Sequence, residues 1–112
     1  MPEDCLFCKI AAGEVPADVV RETDDTVAFR DINPQAPTHV LVIPRKHSAN
    51  VGELAADQSL LTAVMREAAA VAADANLDSY RLLFNTGREA GQTVFHVHAH
   101  VLGGRGMSWP PG

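Results

Sequence analysis

Three of the chain's five histidines stand at alternate positions in His96-Val97-His98-Ala99-His100-Val101-Leu102. Side chains of a strand alternate between its two faces, so this spacing puts the three imidazoles on one side, their starting points about 6.6 Å apart. Val97, Ala99 and Val101 then share the other side. A single histidine on such a face is most often an idle, solvated residue. Three in strict alternation, among Val, Ala, Phe and Leu, point to a shared task. Two chemistries want such a row. Imidazoles on one face can bind a metal ion. They can also supply a neutral nucleophile, an acid and an orienting partner for phosphoryl transfer, because imidazole changes charge near neutral pH. The preceding segment, Asn85 to Thr93, favours the second chemistry: it holds Gly87, Gly91, Gln92 and Thr93. Glycine lets backbone N–H groups approach phosphate oxygens, and small polar side chains add donors.

The only two cysteines form Cys5-Leu6-Phe7-Cys8. A redox pair of this spacing normally follows a strand in a βαβ unit, and no strand candidate precedes it here. Two readings stay open: a pair of unrelated buried thiols, or half of a zinc site completed by histidines.

These groups need a scaffold to position them. A chain of 112 residues, 46% hydrophobic, allows one domain with one core. Nine basic against 14 acidic side chains give a net charge of −5, with the basic residues scattered singly. Binding to nucleic acid or to an anionic membrane needs a clustered positive field, so neither is expected. No apolar run approaches the ~18–20 residues of a membrane span. The acidic start Met1-Pro2-Glu3-Asp4-Cys5 is unlike a secretory signal, which leads to the expectation of a soluble, cytoplasmic protein.

The spacing predicts a short helix over Leu6 to Ala12 stopped by Gly13, and strands at Val19-Val20, Thr26 to Phe29 and Thr38 to Ile43. Asp57 fits the N-cap of a long helix whose apolar stripe is Leu61, Val64, Met65, Ala68, Val71, Ala72 and Ala75. Strands follow at Tyr80 to Phe84 and Val94 to Leu102, and Gly103 to Gly112 reads as a tail. Strands joined by short turns, with one long helix inserted, describe an α+β fold with an antiparallel sheet.

The sequence from His96 to Leu102 resembles, at every position, the His-φ-His-φ-His-φ-φ signature (φ, apolar) of the histidine triad (HIT) superfamily. Further segments are similar to its Hint branch: Asp31 to His39, Ile43 to His47, Gly91-Gln92-Thr93-Val94-Phe95 and Trp109-Pro110-Pro111-Gly112. The resemblance covers nearly the whole chain from Cys5. It implies a single HIT domain over residues 1–112, with residues 1–4 as an extension and 103–112 as a tail. The implied architecture is a five-stranded antiparallel sheet with one long and one short helix, paired into a two-fold dimer.

The resemblance also implies a hydrolase of purine nucleoside phosphoramidates that needs no metal for catalysis. His98 would be the nucleophile, His100 would contact phosphate, and His39 would complete the cluster. Charge would be stabilised around Gly91, Gln92, Thr93 and Val94. Asp31 matches the residue that bonds the ribose hydroxyls, Asn85 a polar residue near sugar or phosphate, and Phe7, Ile10, Phe29 and Ile32 the walls around the base. Some bacterial relatives bind structural zinc, which here would fall to Cys5, Cys8, His47 and His96. Trp109 would reach toward the partner subunit. Two alternatives compete with this reading: a zinc-containing nucleotide-binding adaptor with incidental hydrolysis, and a hydrolase of dinucleoside polyphosphates. The intact triad disfavours the adaptor, and Gln92-Thr93-Val94 with the Trp-Pro-Pro-Gly ending disfavours the polyphosphate enzyme. Met107-Ser108 departs from the His-Trp pairing of many eukaryotic relatives, and Thr93 stands where many have serine.

Overall fold

A run of β-branched and aliphatic residues, Thr38–Pro44, forms the central strand β3, buried from His39 to its end. Around it lie β1 (Val19–Glu22), β2 (Thr26–Arg30), β4 (Tyr80–Leu83) and β5 (Ala99–Gly103), in the order β1-β2-β3-β5-β4. Every neighbouring pair is antiparallel. The structure, a computed structural model, describes residues 4–111. The expected N-terminal extension therefore lies almost wholly outside the described residues, as does Gly112 of the tail. No helix among the described residues is long and apolar enough to cross a membrane.

The two faces of the sheet are covered differently, and the alternation of β3 decides which residue goes where. Val40 and Val42 point to one face with Ala28, Val97, Ala99 and Val101, beneath the long helix α3 (Gln58–Asp74). Leu41 and Ile43 point to the other with Val27 and Phe29, where Phe7 of the short helix α1 (Leu6–Ala11) closes the cluster. At one end of that second face the apolar side chains give way to imidazoles. Asp57 caps α3, its carboxylate accepting from the Leu60 N–H at 3.1 Å. Past α1, Gly13 adopts φ 77°, a left-handed conformation that glycine enters without a Cβ clash.

Four expectations need correction. Met65 is exposed and Ala75 lies on the exposed C-cap of α3, whereas Leu60 and Glu67 are buried. Glu67 is tolerated inside because Arg21 of β1 reaches over the helix and pairs with it at 2.8 Å, its Nη1 also meeting Asp74 at 2.7 Å. A third helix, α2 (Val51–Leu54), one turn capped by Asn50, was not foreseen. The last strand starts at Ala99 rather than Val94, because the Val97 N–H leaves the ladder for the Ser48 carbonyl at 2.7 Å. It also runs one residue further than expected, so Gly103 ends β5 instead of opening the tail.

Candidate functional site

Hydrogen-bond directions at four imidazoles define what each ring nitrogen can do. A backbone N–H can only donate, so the Gln35 N–H at 3.0 Å makes His39 Nδ1 an acceptor and leaves the ring proton on Nε2. That Nε2 lies 2.9 Å from His100 Nδ1, which must then accept. The proton of His100 is thereby placed on Nε2, a buried atom with no partner among the described residues. His98 has the opposite arrangement. Its Nδ1 donates to the His96 carbonyl at 2.8 Å, leaving the Nε2 lone pair free. The rings of His98 and His100 lie 4.9 Å apart between centroids. The site thus presents one lone pair and one unpaired N–H donor side by side.

Burial keeps these rings neutral. Desolvation lowers His98 and His39 below the ordinary 6.5, and pushes His100 down to about 4, with repulsion from His98 and His39 adding to it. Asp31 Oδ2 sits 3.4 Å from His39 Nε2, while its Oδ1 accepts from the Asn33 N–H at 2.9 Å. Asp31 is therefore a turn cap and a neighbour of the imidazole cluster at once.

The glycine loop is braced from within. The Gln92 side chain, almost wholly buried, accepts from the Gly87 N–H at 3.0 Å and donates to the carbonyls of Ala49 and Val94 at 2.7 and 3.1 Å. The backbone N–H groups of Gly91 and Gln92 are likewise turned to Arg88 and Gly87. The Gly91 N–H and the Gln92 donors are thus taken up inside the protein, although charge stabilisation is expected around both residues. The N–H groups of Thr93 and Val94 have no backbone acceptor among the described residues. At Gly91, φ 97°, an added Cβ would lie 3.7 Å from the Asn85 amide nitrogen.

The aromatic residues stand beside the imidazoles. Phe7 meets Phe29 edge-on at 5.3 Å and His98 at 5.1 Å, and Ile10 packs on the same cluster. Ile32 is fully exposed on the loop before β3.

A second cluster lies behind the first. Cys5, Cys8, His47 and His96 bring one sulfur or nitrogen each to within 4.8 Å of one another. His96 Nδ1 is 3.4 Å from both sulfurs, and His47 Nδ1 is 3.4 Å from Cys8 Sγ. His96 Nε2 donates to the Pro44 carbonyl at 2.7 Å, which directs the Nδ1 lone pair at the thiols. Burial, with a hydrogen bond and charge repulsion from Cys5, raises Cys8 to about 11, and desolvation lowers His96 to about 4. His96 thus belongs to this cluster and not to the reacting face, although its carbonyl orients His98.

Sequence reasoning missed Gln35, the Pro44 carbonyl and Arg105, whose Nε donates to the Gln35 carbonyl at 2.9 Å. The first two act through backbone atoms, which side-chain identity does not reveal. Arg105 carried one available signal: a lone cation two residues past the last strand.

A HIT domain model matches residues 12–107, and the chain belongs to that family. Among curated relatives, an uncharacterized HIT-like protein of Synechococcus elongatus is 50% identical over 114 residues, covering all of both chains. The 14 kDa zinc-binding protein of Zea mays is 44% identical, covering 96% of this chain and 87% of its own. The purine nucleoside phosphoramidase of Escherichia coli is also 44% identical, covering 94% and 91%. Of solved structures, a HIT family hydrolase from Legionella pneumophila superposes with a TM-score of 0.93 at 51% identity, covering 97% of this chain and all of that one.

Proposed function

We propose that the protein hydrolyses purine nucleoside phosphoramidates through a covalent nucleotidyl-His98 intermediate. The observation that carries this reading is the tautomer of His98: its Nδ1–H is held by the His96 carbonyl, leaving the Nε2 lone pair on the open side. In the first step that lone pair bonds to phosphorus as the P–N bond to the amine breaks, and the amine takes up a proton from solvent. In the second, water bonds to phosphorus and gives up a proton to solvent, the His98–phosphorus bond breaks, and the mononucleotide departs. One difficult displacement becomes two easier ones. The His100 Nε2–H, already desolvated, donates to a phosphoryl oxygen as charge grows there. Asp31 accepts from the ribose hydroxyls, Asn85, Thr93 and Val94 border the sugar and phosphate, and Phe7, Ile10, Phe29 and Ile32 wall the base. The phosphoramidase of Escherichia coli supports the choice of substrate. Turnover and binding separate the roles. In His98→Ala, phosphoramidate turnover is expected to fall by at least about 10³-fold while adenosine monophosphate binding is mostly kept. Unchanged turnover would refute the nucleophile.

The second cluster is read as a structural zinc site formed by Cys5, Cys8, His47 and His96. Tetrahedral zinc, with bonds of about 2.3 Å to sulfur and 2.0–2.1 Å to nitrogen, sets sulfur and nitrogen ligands about 3.6 Å apart. The three separations of 3.4 Å here are close to that edge. A neutral His96, its far nitrogen donating to Pro44, is the ligand state such a site needs. The Zea mays relative, a zinc-binding protein by name, supports this. Bound zinc would supply the positive charge that turns both thiols into thiolates.

The chain is further proposed to work as a homodimer in the cytoplasm. Strand β4 has a neighbour on one side only. Arg81 on that strand holds the tail by donating to the Ser108 carbonyl at 3.0 Å, next to a Trp109 that is 82% exposed. An uncovered edge is a ready template for a second sheet, and two free cysteines suit a reducing compartment.

A further inference from the structure

We propose that Arg105, on the segment after β5, is a positioning residue that fixes the tautomers of His39 and His100 by clamping Gln35. The inference rests on the proposed reaction only for its kinetic consequence; the tautomers are a property of the resting protein.

The clamp has two contacts. Gly104, at φ 91°, brings the chain so close to the loop before β3 that an added Cβ would lie 3.0 Å from Pro37. Arg105 then donates from Nε to the Gln35 carbonyl at 2.9 Å, while its Nη1 donates to the Gly106 carbonyl at 2.9 Å and holds the guanidinium in place. A charged donor on a neutral carbonyl is among the stronger hydrogen bonds available to an exposed side chain.

What the clamp holds is the donor that starts the imidazole relay. The Gln35 N–H meets His39 Nδ1 at 3.0 Å. Without that donor the choice between the two neutral forms of His39 rests on the Asp31 carboxylate alone, whose Oδ2 lies a looser 3.4 Å from Nε2. In the form with its proton on Nδ1, His39 Nε2 becomes an acceptor, and His100 Nδ1, 2.9 Å away, must become the donor. The proton then leaves His100 Nε2, and the atom available to a phosphoryl oxygen presents a lone pair instead of an N–H. A lone pair repels an oxyanion. One guanidinium outside the imidazole cluster thus adds its bias to that of Asp31 in setting whether the buried Nε2 attracts or repels the charge it faces.

The test is histidine ¹⁵N NMR on the intact protein, comparing the parent chain with Arg105→Met and Arg105→Lys. The parent is expected to hold His39 and His100 in the Nε2–H form, with a scalar coupling across the hydrogen bond from the Gln35 N–H to His39 Nδ1. Arg105→Met is expected to mix both forms at His39 and His100 while His98 keeps its Nδ1–H. It should also lower kcat on an adenosine phosphoramidate about five-fold, the loss of one exposed charge-assisted hydrogen bond, with KM little changed. Arg105→Lys, which keeps a donor, should restore most of both. Arg105→Met with pure Nε2–H forms at His39 and His100 would overturn the proposal. If that variant does not fold, the parent decides: absence of the Gln35–His39 coupling overturns it. Failure of the reaction scheme is visible separately, as turnover persisting in His98→Ala with the tautomers unchanged.

Discussion

At the scale of single residues, the chemistry depends on which nitrogen of each ring carries a proton, and backbone groups choose it. The His96 carbonyl and the Gln35 N–H leave His98 with a free lone pair and His100 with a free N–H. Burial lowers His98 below 6.5, which favours the unprotonated ring that the proposed nucleophile needs at neutral pH. Turnover is expected to persist to lower pH than an imidazole at the ordinary 6.5 would allow and then to decline in acid, as a pH–rate profile would record. Stability follows the same sign. The unfolded chain takes up a proton at His100 below its ordinary 6.5, whereas the native ring resists until about 4. That contribution is complete above pH 6.5 and is lost between 6.5 and about 4. Calorimetry across this window should find the parent chain losing roughly 5 °C more in Tm than His100→Asn.

At the scale of elements, the loop from Asn85 to Thr93 is braced by Gln92, and the cysteine turn meets His47 and His96. Gln92→Leu keeps the volume but orphans the Gly87 N–H and the carbonyls of Ala49 and Val94. It is expected to cost about 1–3 kcal/mol in denaturant unfolding, and to raise KM for the nucleotide. For the cysteine turn, metal analysis of protein purified without chelator should find about one zinc per chain, and none after Cys5→Ala/Cys8→Ala. The double variant should melt roughly 10 °C lower. Period-two alternation of Val97, Ala99 and Val101 against the three histidines was readable, because all three apolar residues enter the one core beneath α3. The start of β5 was not, since it depends on the Val97 N–H finding Ser48, a residue distant in sequence. Gln92 resembled a phosphate donor for the same reason: its composition fits that role, and only its partners Gly87, Ala49 and Val94 reveal a brace. Glu67 escaped notice because its burial requires Arg21, which belongs to another element.

At the scale of the whole molecule, a five-stranded sheet separates two tasks. The face under α3 is a continuous apolar core, whereas the α1 face grades from Phe7, Phe29 and Leu41 into the imidazoles and the thiols. The order β1-β2-β3-β5-β4 places His39 and His100 on adjacent central strands, where backbone pairing on both sides limits their movement. It also leaves β4 at the edge with the tail beside it, a geometry suited to pairing two copies. Sedimentation equilibrium is expected to return twice the chain mass at micromolar concentration; a single-chain mass there would contradict the dimer.

The proposed chemistry depends on a transient bond between His98 Nε2 and phosphorus. Rapid quench of the enzyme with an adenosine phosphoramidate, followed by peptide mass spectrometry under conditions that preserve phosphohistidine, tests it most directly. A nucleotidyl group on His98 that forms and decays at the rate of turnover is the predicted result. The same group on His39 or His100, or turnover at full rate with no adduct, would contradict it.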